Sequence, residues 1–444
     1  MNTSKSAFQM SIEKKLDNLV IPETPAKKYS KESLTAEQRL VFDKVAENCQ
    51  NIFITSPAGC GKSYLIKTIY SELQQTKNVA LTSLTGVSAN ILGGQTLHSY
   101  LGIGLGTASF KKLLDRLEKS VFIKNRWRRL HLLIVDEVSM LNVELLEKLE
   151  ALARTIRKCD LPFGGIQLVF SGDFLQLPTV KSHKFCFESP VWDRCIDEVV
   201  LLSQIIRQKD ETFARILNKI RVGDIDDECK TILESRAVPY LDQNGIIPTM
   251  LYPTNAKVDA ANSKYYDRLK GDEYRYNIVY TWFKKVIDRE KYERDMRFQY
   301  ELSLKVGAQV MYLVNNPGLG LVNGSRGVVK SFADGKPVVL FLNGKLIPIG
   351  METLTIEEGD DLIMSYSQIP LKLAWSSTIH KMQGCTIDLV RISFRNIFEY
   401  GQFYVAVSRC TTLDGLYLRH LDWNLVKTHP KAMEFYKNLE LKSE

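Results

Sequence analysis

Residues 51–63 constrain the fold more than any other stretch of this chain. Asn51-Ile52-Phe53-Ile54-Thr55 is a short apolar run suited to a buried strand. Ser56-Pro57-Ala58-Gly59-Cys60-Gly61-Lys62-Ser63 follows directly, and residues 63–75 then read as a helix. A strand, a glycine-bearing loop and a helix in this order form a phosphate-binding loop with one departure: Ser56 stands where the pattern has its first glycine. Gly59 and Gly61 let the backbone curl so that successive N–H groups point at an anion. The helix that begins at Lys62 adds the positive end of its dipole. The whole loop, from Ser56 and Pro57 through Ala58, Gly59, Cys60 and Gly61 to Lys62 and Ser63, is therefore expected to hold a nucleoside triphosphate. Lys62 would reach the β- and γ-phosphates and Ser63 would ligate Mg²⁺.

The surrounding text extends that unit into a sheet. Val79-Ala80-Leu81-Thr82-Ser83, Leu132-Leu133-Ile134-Val135 and Ile166-Gln167-Leu168-Val169-Phe170 are further apolar runs separated by helical stretches. Such alternation implies parallel strands covered on both faces. The pattern resumes after about residue 200, with strands near 248–252 and 390–394. With 444 residues the chain is long enough for two or three domains. Between the later strands, residues 304–365 carry Asn323-Gly324, Asp334-Gly335 and Asn343-Gly344, dipeptides that favour tight hairpins. The expected class is α/β, with a small antiparallel β-barrel inserted into a second α/β core. The division is a tail over 1–30, a first core over 31–200 with an insertion at about 106–130, a second core over 201–303 and 366–444, and the barrel over 304–365. Residues 265–300 are crowded with charge and aromatic rings and carry no assignment.

Two further segments complete the chemistry expected of the loop. Asp136-Glu137 follows an apolar strand, at the edge where α/β proteins bind ligands. Asp136 is placed to hold Mg²⁺ through water, and Glu137 to orient and deprotonate an attacking water. Gln176, in Gly172-Asp173-Phe174-Leu175-Gln176-Leu177-Pro178, is placed to sense the γ-phosphate with its amide.

Composition adds boundaries. A formal charge of +8 suits an anionic partner without specifying one. The eight cysteines form no C-x-x-C pair, which argues against zinc and for a reducing compartment. The chain has no apolar run long enough for a membrane span and no secretion-type apolar segment at its start. An intracellular location in nucleus or cytoplasm, without a membrane partner, is the expectation.

The order of these motifs resembles superfamily 1B helicases, and within them the petite-integration-frequency (PIF) helicases, over residues 34–420. Thr35-Ala36-Glu37-Gln38 resembles the adenine-reading motif, and Thr82-Ser83-Leu84-Thr85-Gly86-Val87-Ser88-Ala89 the first strand-contacting motif. Thr96-Leu97-His98-Ser99-Tyr100-Leu101-Gly102 is similar to a backbone-touching segment. Asp136-Glu137-Val138-Ser139-Met140 and residues 172–178 are near-verbatim family signatures. Leu202-Ser203-Gln204-Ile205-Ile206-Arg207-Gln208, Thr378-Ile379-His380-Lys381-Met382-Gln383-Gly384 and Tyr404-Val405-Ala406-Val407-Ser408-Arg409 resemble three later motifs. The family's signature helix resembles the text through Phe213, Leu217, Ile220, Arg221 and Gly223.

The resemblance implies two RecA-like cores, a wedge insertion in the first and an SH3-like barrel in the second. It implies ATP and Mg²⁺ as cofactors, with Gln38 on the base and Gly384 beside the nucleotide. Arg207 and Arg409 would be brought to the triphosphate from the second core. Thr82, Thr85, His98, Tyr100, Ser377, Thr378, His380 and Lys381 would contact a nucleic-acid backbone, and Phe174 and Trp375 would either stack on bases or, as aromatic residues beside strands more often do, sit in the core. The implied activity is ATP-dependent 5′–3′ translocation on single-stranded DNA, by a monomeric motor that unwinds forked or tailed duplex during replication, repair or recombination. An RNA or RNA–DNA hybrid helicase, and a nucleotide-gated clamp that unwinds nothing, are the alternatives. A clamp needs no catalytic base, so the presence of Glu137 speaks against it.

Overall fold

The structure, a computed structural model, describes residues 29–443 except 105, 179–183, 207–209, 241–244, 285–288, 295, 317, 359–360 and 384. Six parallel strands form the first sheet: β1 (Ile52–Thr55), β2 (Val79–Ser83), β3 (Gln95–Thr96), β4 (Leu132–Asp136), β5 (Gln167–Gly172) and β6 (Glu198–Leu201). Their order is β3-β2-β4-β5-β1-β6. The side-chain period of two sends alternate residues to opposite faces. Ile52, Ile54, Leu132 and Ile134 pack on one face with helices Ala36–Ala46 and Lys62–Leu73. Phe53, Leu133 and Val135 pack on the other, chiefly with helix Val143–Arg157. That helix buries Leu145, Leu146, Leu149, Leu152, Ala153 and Ile156, a helical spacing that turns one stripe inward. Each fully buried Leu or Ile there stabilises the layer by roughly 1.5–3 kcal/mol.

The second sheet is also parallel. Its strands run in the order Ser376–Thr378, Thr249–Tyr252, Val390–Ser393, Leu416–Arg419. Helices Glu211–Val222 and Gln402–Val407 share its core, in which Phe213, Ile216, Leu217, Phe403 and Val405 are buried. Ala58 and Leu177, from loops of the first core, are part of the same apolar cluster. The phosphate loop therefore lies in the seam between the cores.

A β-rich body interrupts the second core. Glu301–Leu304 begins its later strands, and a five-stranded antiparallel sheet is built around Gln309–Tyr312, Arg326–Ala333 and Lys336–Phe341. Asp334 and Gly335 both have positive φ, 50° and 73°, as a two-residue hairpin turn between twisted strands requires. The body is wider than residues 304–365. Tyr274–Asn277 pairs with Glu301–Leu304, and Val279–Trp282 pairs with Asp361–Gln368, so part of the unassigned 265–300 stretch belongs to it. Arg326 anchors its root. This buried guanidinium donates to the carbonyls of Leu389 and Ile247, on the second core.

The last helix also departs from the expected division. Helix Pro430–Ser443 follows the second sheet in sequence, yet Ala432 and Tyr436 are buried in the first core's cluster. Phe435 packs its ring 5.4 Å from Phe174 and 4.4 Å from Phe187, which draws the helix back across the seam. Residues 106–130 form two helices, Phe110–Lys119 and Val121–Arg129, hinged at Ser120, whose hydroxyl caps the second. Leu113, Leu117 and Trp127 are buried, while Lys111, Lys112, Arg116 and Arg128 face outward. Among the described residues, no helix is long and apolar enough to cross a membrane.

Candidate nucleotide site between the cores

The loop after β1 has the curl its glycines allow: Gly59 and Gly61 have φ of 97° and 81°. Gly61 is the left-handed residue that starts helix Lys62–Leu73. A Cβ there would lie 2.6 Å from Gln38 Nε2 and 3.1 Å from Ile206 Cδ1, so the position is closed to larger residues by conformation and by space. Gln38 is buried against this loop. Its Oε1 accepts the Thr35 N–H at 3.2 Å as half of a capping box, and its Nε2 donates to the Cys60 carbonyl at 3.4 Å. Ser56 fits where the pattern has glycine. It is fully buried, and Lys62 Nζ donates to its carbonyl at 2.8 Å and to its hydroxyl at 2.7 Å. Burial pulls the Lys62 ammonium below its ordinary value, opposed by the charges of Asp173 and Glu137.

Asp136 ends β4, buried, and accepts the Ser88 hydroxyl at 3.0 Å. Glu137 follows in a left-handed conformation, φ 57°, which is strained for a non-glycine residue and concentrates at functional sites. Burial and the adjacent Asp136 charge push its carboxyl up to about 7, against the opposite pull of Arg409 and Lys62. A carboxyl poised near neutrality can take a proton from water at working pH. Gln176 is buried beside it.

The second core closes this group. Gln383 Nε2 donates to Glu137 Oε2 at 2.9 Å and to Gln176 Oε1 at 3.4 Å, while Gln383 Oε1 is buried with no hydrogen-bond partner among the described residues. The Tyr404 hydroxyl accepts the Ala58 N–H of the phosphate loop at 2.8 Å. Gly401 has φ 68°, and a Cβ on it would lie 2.6 Å from the carbonyls of Leu175 and Gln176, so only glycine permits this approach. Arg409 is buried, held by its own helix through Val405 O at 3.0 Å and Ser408 Oγ at 2.9 Å. Burial lowers its pKa and the charge of Glu137 raises it, which puts the guanidinium near the carboxylate. Gln383 and Tyr404 were within quoted motifs but were not singled out; their reach across the seam is a tertiary fact. Arg207 and Gly384 lie outside the described residues.

Ser63 is exposed at the helix start, and the buried Asp136 carboxylate sits at the end of β4. A hydroxyl and a carboxylate are the oxygen donors that Mg²⁺ takes together with substrate phosphates and water. Among the described residues no group of three or more His, Cys, Asp or Glu could hold a metal by itself.

The expected strand contacts divide. Thr85, His98, Tyr100 and His380 are partly exposed and Lys381 is exposed. Burial keeps both His98 and His380 below the ordinary histidine value, hence uncharged near neutrality. Ser377 and Thr378 are buried, and Thr378 Oγ1 accepts the Lys381 N–H at 3.1 Å. Thr82 is wholly buried and spends its hydroxyl on the Ile134 carbonyl, so its side chain does not touch a strand. Phe174 does not stack on bases: it is 0% exposed, inside a cluster with Phe53, Phe185, Phe187 and Trp192. Trp375 is likewise buried, stacked on Tyr265 at 5.8 Å.

Known proteins resemble this chain over most of its length. The model of the PIF1-like helicase family matches residues 33–231, and that of the DNA helicase Pif1 2B domain matches residues 298–332. The crystal structure of Pif1 helicase from Candida albicans is 37% identical, with a TM-score of 0.76, covering 91% of this chain and 99% of that one. The chain belongs to the PIF1-like helicase family. The family member from Bacteroides crystallised with ADP-AlF3 and ssDNA is 29% identical, with a TM-score of 0.66, over 93% of this chain and 98% of its own. The ATP-dependent DNA helicase PIF1 of Xenopus laevis is 38% identical over 417 residues, covering 92% of this chain and 64% of that protein. This chain thus spans just under two thirds of the length of that curated family member.

Proposed function

We propose that this chain is an ATP-dependent DNA helicase that moves 5′ to 3′ along single-stranded DNA and unwinds tailed or forked duplex. The observation that carries the reading is the Gln383–Glu137 contact of 2.9 Å, which joins the two cores at the carboxylate beside the phosphate loop. Its position supports two RecA-like cores sharing one nucleotide. The family member that binds both ADP-AlF3 and ssDNA supports the same pairing of ligands.

In this reading, loop 56–63 wraps the triphosphate with its N–H groups. Lys62 leaves Ser56 for the β- and γ-phosphates. Ser63 and, through water, Asp136 would hold Mg²⁺, which would offset phosphate charge. Glu137 takes the proton of the attacking water, and Gln176 and Gln383 set its direction. Arg409 meets the charge that grows on the γ-phosphoryl oxygens, a role worth roughly 10³–10⁵ in rate in other NTPases. Arg207 joins it in this proposal. Closure of the cores on nucleotide and their release after hydrolysis ratchet a strand held by Thr85, His98, Tyr100, His380 and Lys381. The basic pair of helices over 106–130 is proposed as the wedge, and the β-rich insert as an SH3-like wall around the strand. Replication, repair or recombination inside the cell is the proposed setting.

Strand displacement with 5′-tailed and 3′-tailed duplexes tests this. Activity on the 5′ tail with ATP, lost in Lys62→Ala, is expected. Equal activity on both tails, or a mutant as active as wild type, contradicts it. RNA-tailed and hybrid duplexes in the same assay decide between DNA and RNA.

A further inference from the structure

Beside the nucleotide pocket the cores meet at a second polar junction, of which only the Asp173 charge has entered so far. Asp173 lies on the loop after β5, shortly before Gln176, and is fully buried. Arg221, from helix Glu211–Val222 of the second core, grips it with Nε on Oδ2 and Nη2 on Oδ1, both at 2.8 Å. Burial works against the Asp173 charge, but the Arg221 guanidinium outweighs it and holds the carboxyl below its ordinary range. The third member comes from the far end of the described chain. Tyr436 donates its hydroxyl to Asp173 Oδ1 at 3.2 Å and accepts the Phe174 N–H at 3.1 Å. The same oxygen lies 2.6 Å from Thr55 Oγ1, on the last residue of β1 before the phosphate loop. Its ring lies under the Arg221 guanidinium, 4.9 Å from centroid to Cζ.

A phenol offers one donor and two acceptor sites. Donation to Asp173 and acceptance from Phe174 N–H and Thr55 Oγ–H use all of them. One oxygen therefore spans the root of loop 56–63 and the root of loop 173–178. We infer that Tyr436 is a positioning residue of the ATPase site: its hydroxyl sets the spacing of the two loops that carry Lys62 and Gln176, and the Asp173–Arg221 pair ties that spacing to the second core. The inference rests on the proposed ATP hydrolysis. The Asp173–Arg221 pair is a buried charged contact between the two cores at this junction.

The helix that brings Tyr436 does not depend on this oxygen. Phe435 packs on Phe53, Phe174 and Phe187, with ring centroids 6.3, 5.4 and 4.4 Å away. Tyr436→Phe therefore removes one atom and leaves the helix docked, while Phe435→Leu loosens the docking and keeps the hydroxyl. Two measurements on the full chain separate positioning from structure. Steady-state ATP turnover with saturating single-stranded DNA is expected to show kcat down about tenfold in Tyr436→Phe, at little change in KM, because misplaced groups penalise the transition state more than binding. Phe435→Leu is expected to lower the melting temperature and keep the wild-type kcat. Hydrogen exchange is expected to speed at the Phe174 amide in Tyr436→Phe, with no change along helix Pro430–Ser443. Unchanged exchange at Phe174, or wild-type kcat in Tyr436→Phe, overturns the inference. A wild type that turns over no ATP overturns the ATPase reading instead, and the exchange arm still decides the junction.

Discussion

Lys62 Nζ is shared between the carbonyl and the hydroxyl of Ser56, at 2.8 and 2.7 Å. A glycine at 56 would supply only the first. The hydroxyl therefore competes with phosphate for the same ammonium, and a hydrogen bond to a charged group is worth about 1.5–3 kcal/mol. Ser56→Ala is expected to tighten triphosphate binding by up to about tenfold, read by fluorescent-nucleotide titration; weaker binding contradicts this. Glu137 gives a pH prediction. Its carboxyl is raised from an ordinary 4.5 to about 7, so the protonated form dominates below neutrality and a general base is lost there. Turnover should climb as pH rises through about 7. The linked stability has the opposite sense: it is full below 4.5 and fades as pH rises towards 7, since the fold disfavours the charge. Glu137→Gln should lower turnover roughly 10²–10⁴-fold and flatten the melting temperature over that window. Residues 56–63 and 136–137 were legible because their partners are adjacent in sequence. Gln383 is 246 residues from Glu137, so no local pattern reveals the bond. Phe174 and Thr82 look like surface contacts in motif text, and only packing shows them sealed in.

At the scale of elements, β1, β2, β4 and β5 of the first sheet were legible as continuous apolar runs, whereas β3, two polar residues, and the only partly buried β6 were not. The second sheet's strands Thr249–Tyr252 and Val390–Ser393 fall where apolar text resumes. Tyr274–Asn277 was not legible: its residues are mostly exposed and polar, and it is a strand because Glu301–Leu304 offers an edge. Helix Pro430–Ser443 was assigned to the second core with the rest of 366–444, since its docking face is set by an aromatic cluster assembled from distant segments. The junction of helix Ala36–Ala46 with the start of helix Lys62–Leu73 carries a prediction of its own. Gly61→Ala forces a side chain into φ 81° and against Gln38 Nε2. The strain should cost about 1–3 kcal/mol, seen as a lower melting temperature, with nucleotide affinity falling as Gln38 is displaced. A variant as stable and as tight-binding as wild type contradicts that packing.

Across the whole molecule, the two cores touch at the chemistry and away from it. Ala58, Gln176 and Glu137 from the first meet Tyr404 and Gln383 from the second, and Gly401 makes room for the approach. Asp173–Arg221 joins the cores beside the pocket, and Arg326 ties the β-rich insert to the second core. In the proposed function, nucleotide binding in the seam changes the spacing of everything a strand would cross. The most direct test is ATP turnover, with and without single-stranded DNA, by wild type and Arg409→Lys. A lysine keeps the charge but loses the planar fork. Strand-stimulated turnover in wild type, falling about 10³-fold in the variant at nearly unchanged nucleotide affinity, is the expected result. A wild type indifferent to added strands, or a variant with full turnover, would contradict a pocket completed by the second core.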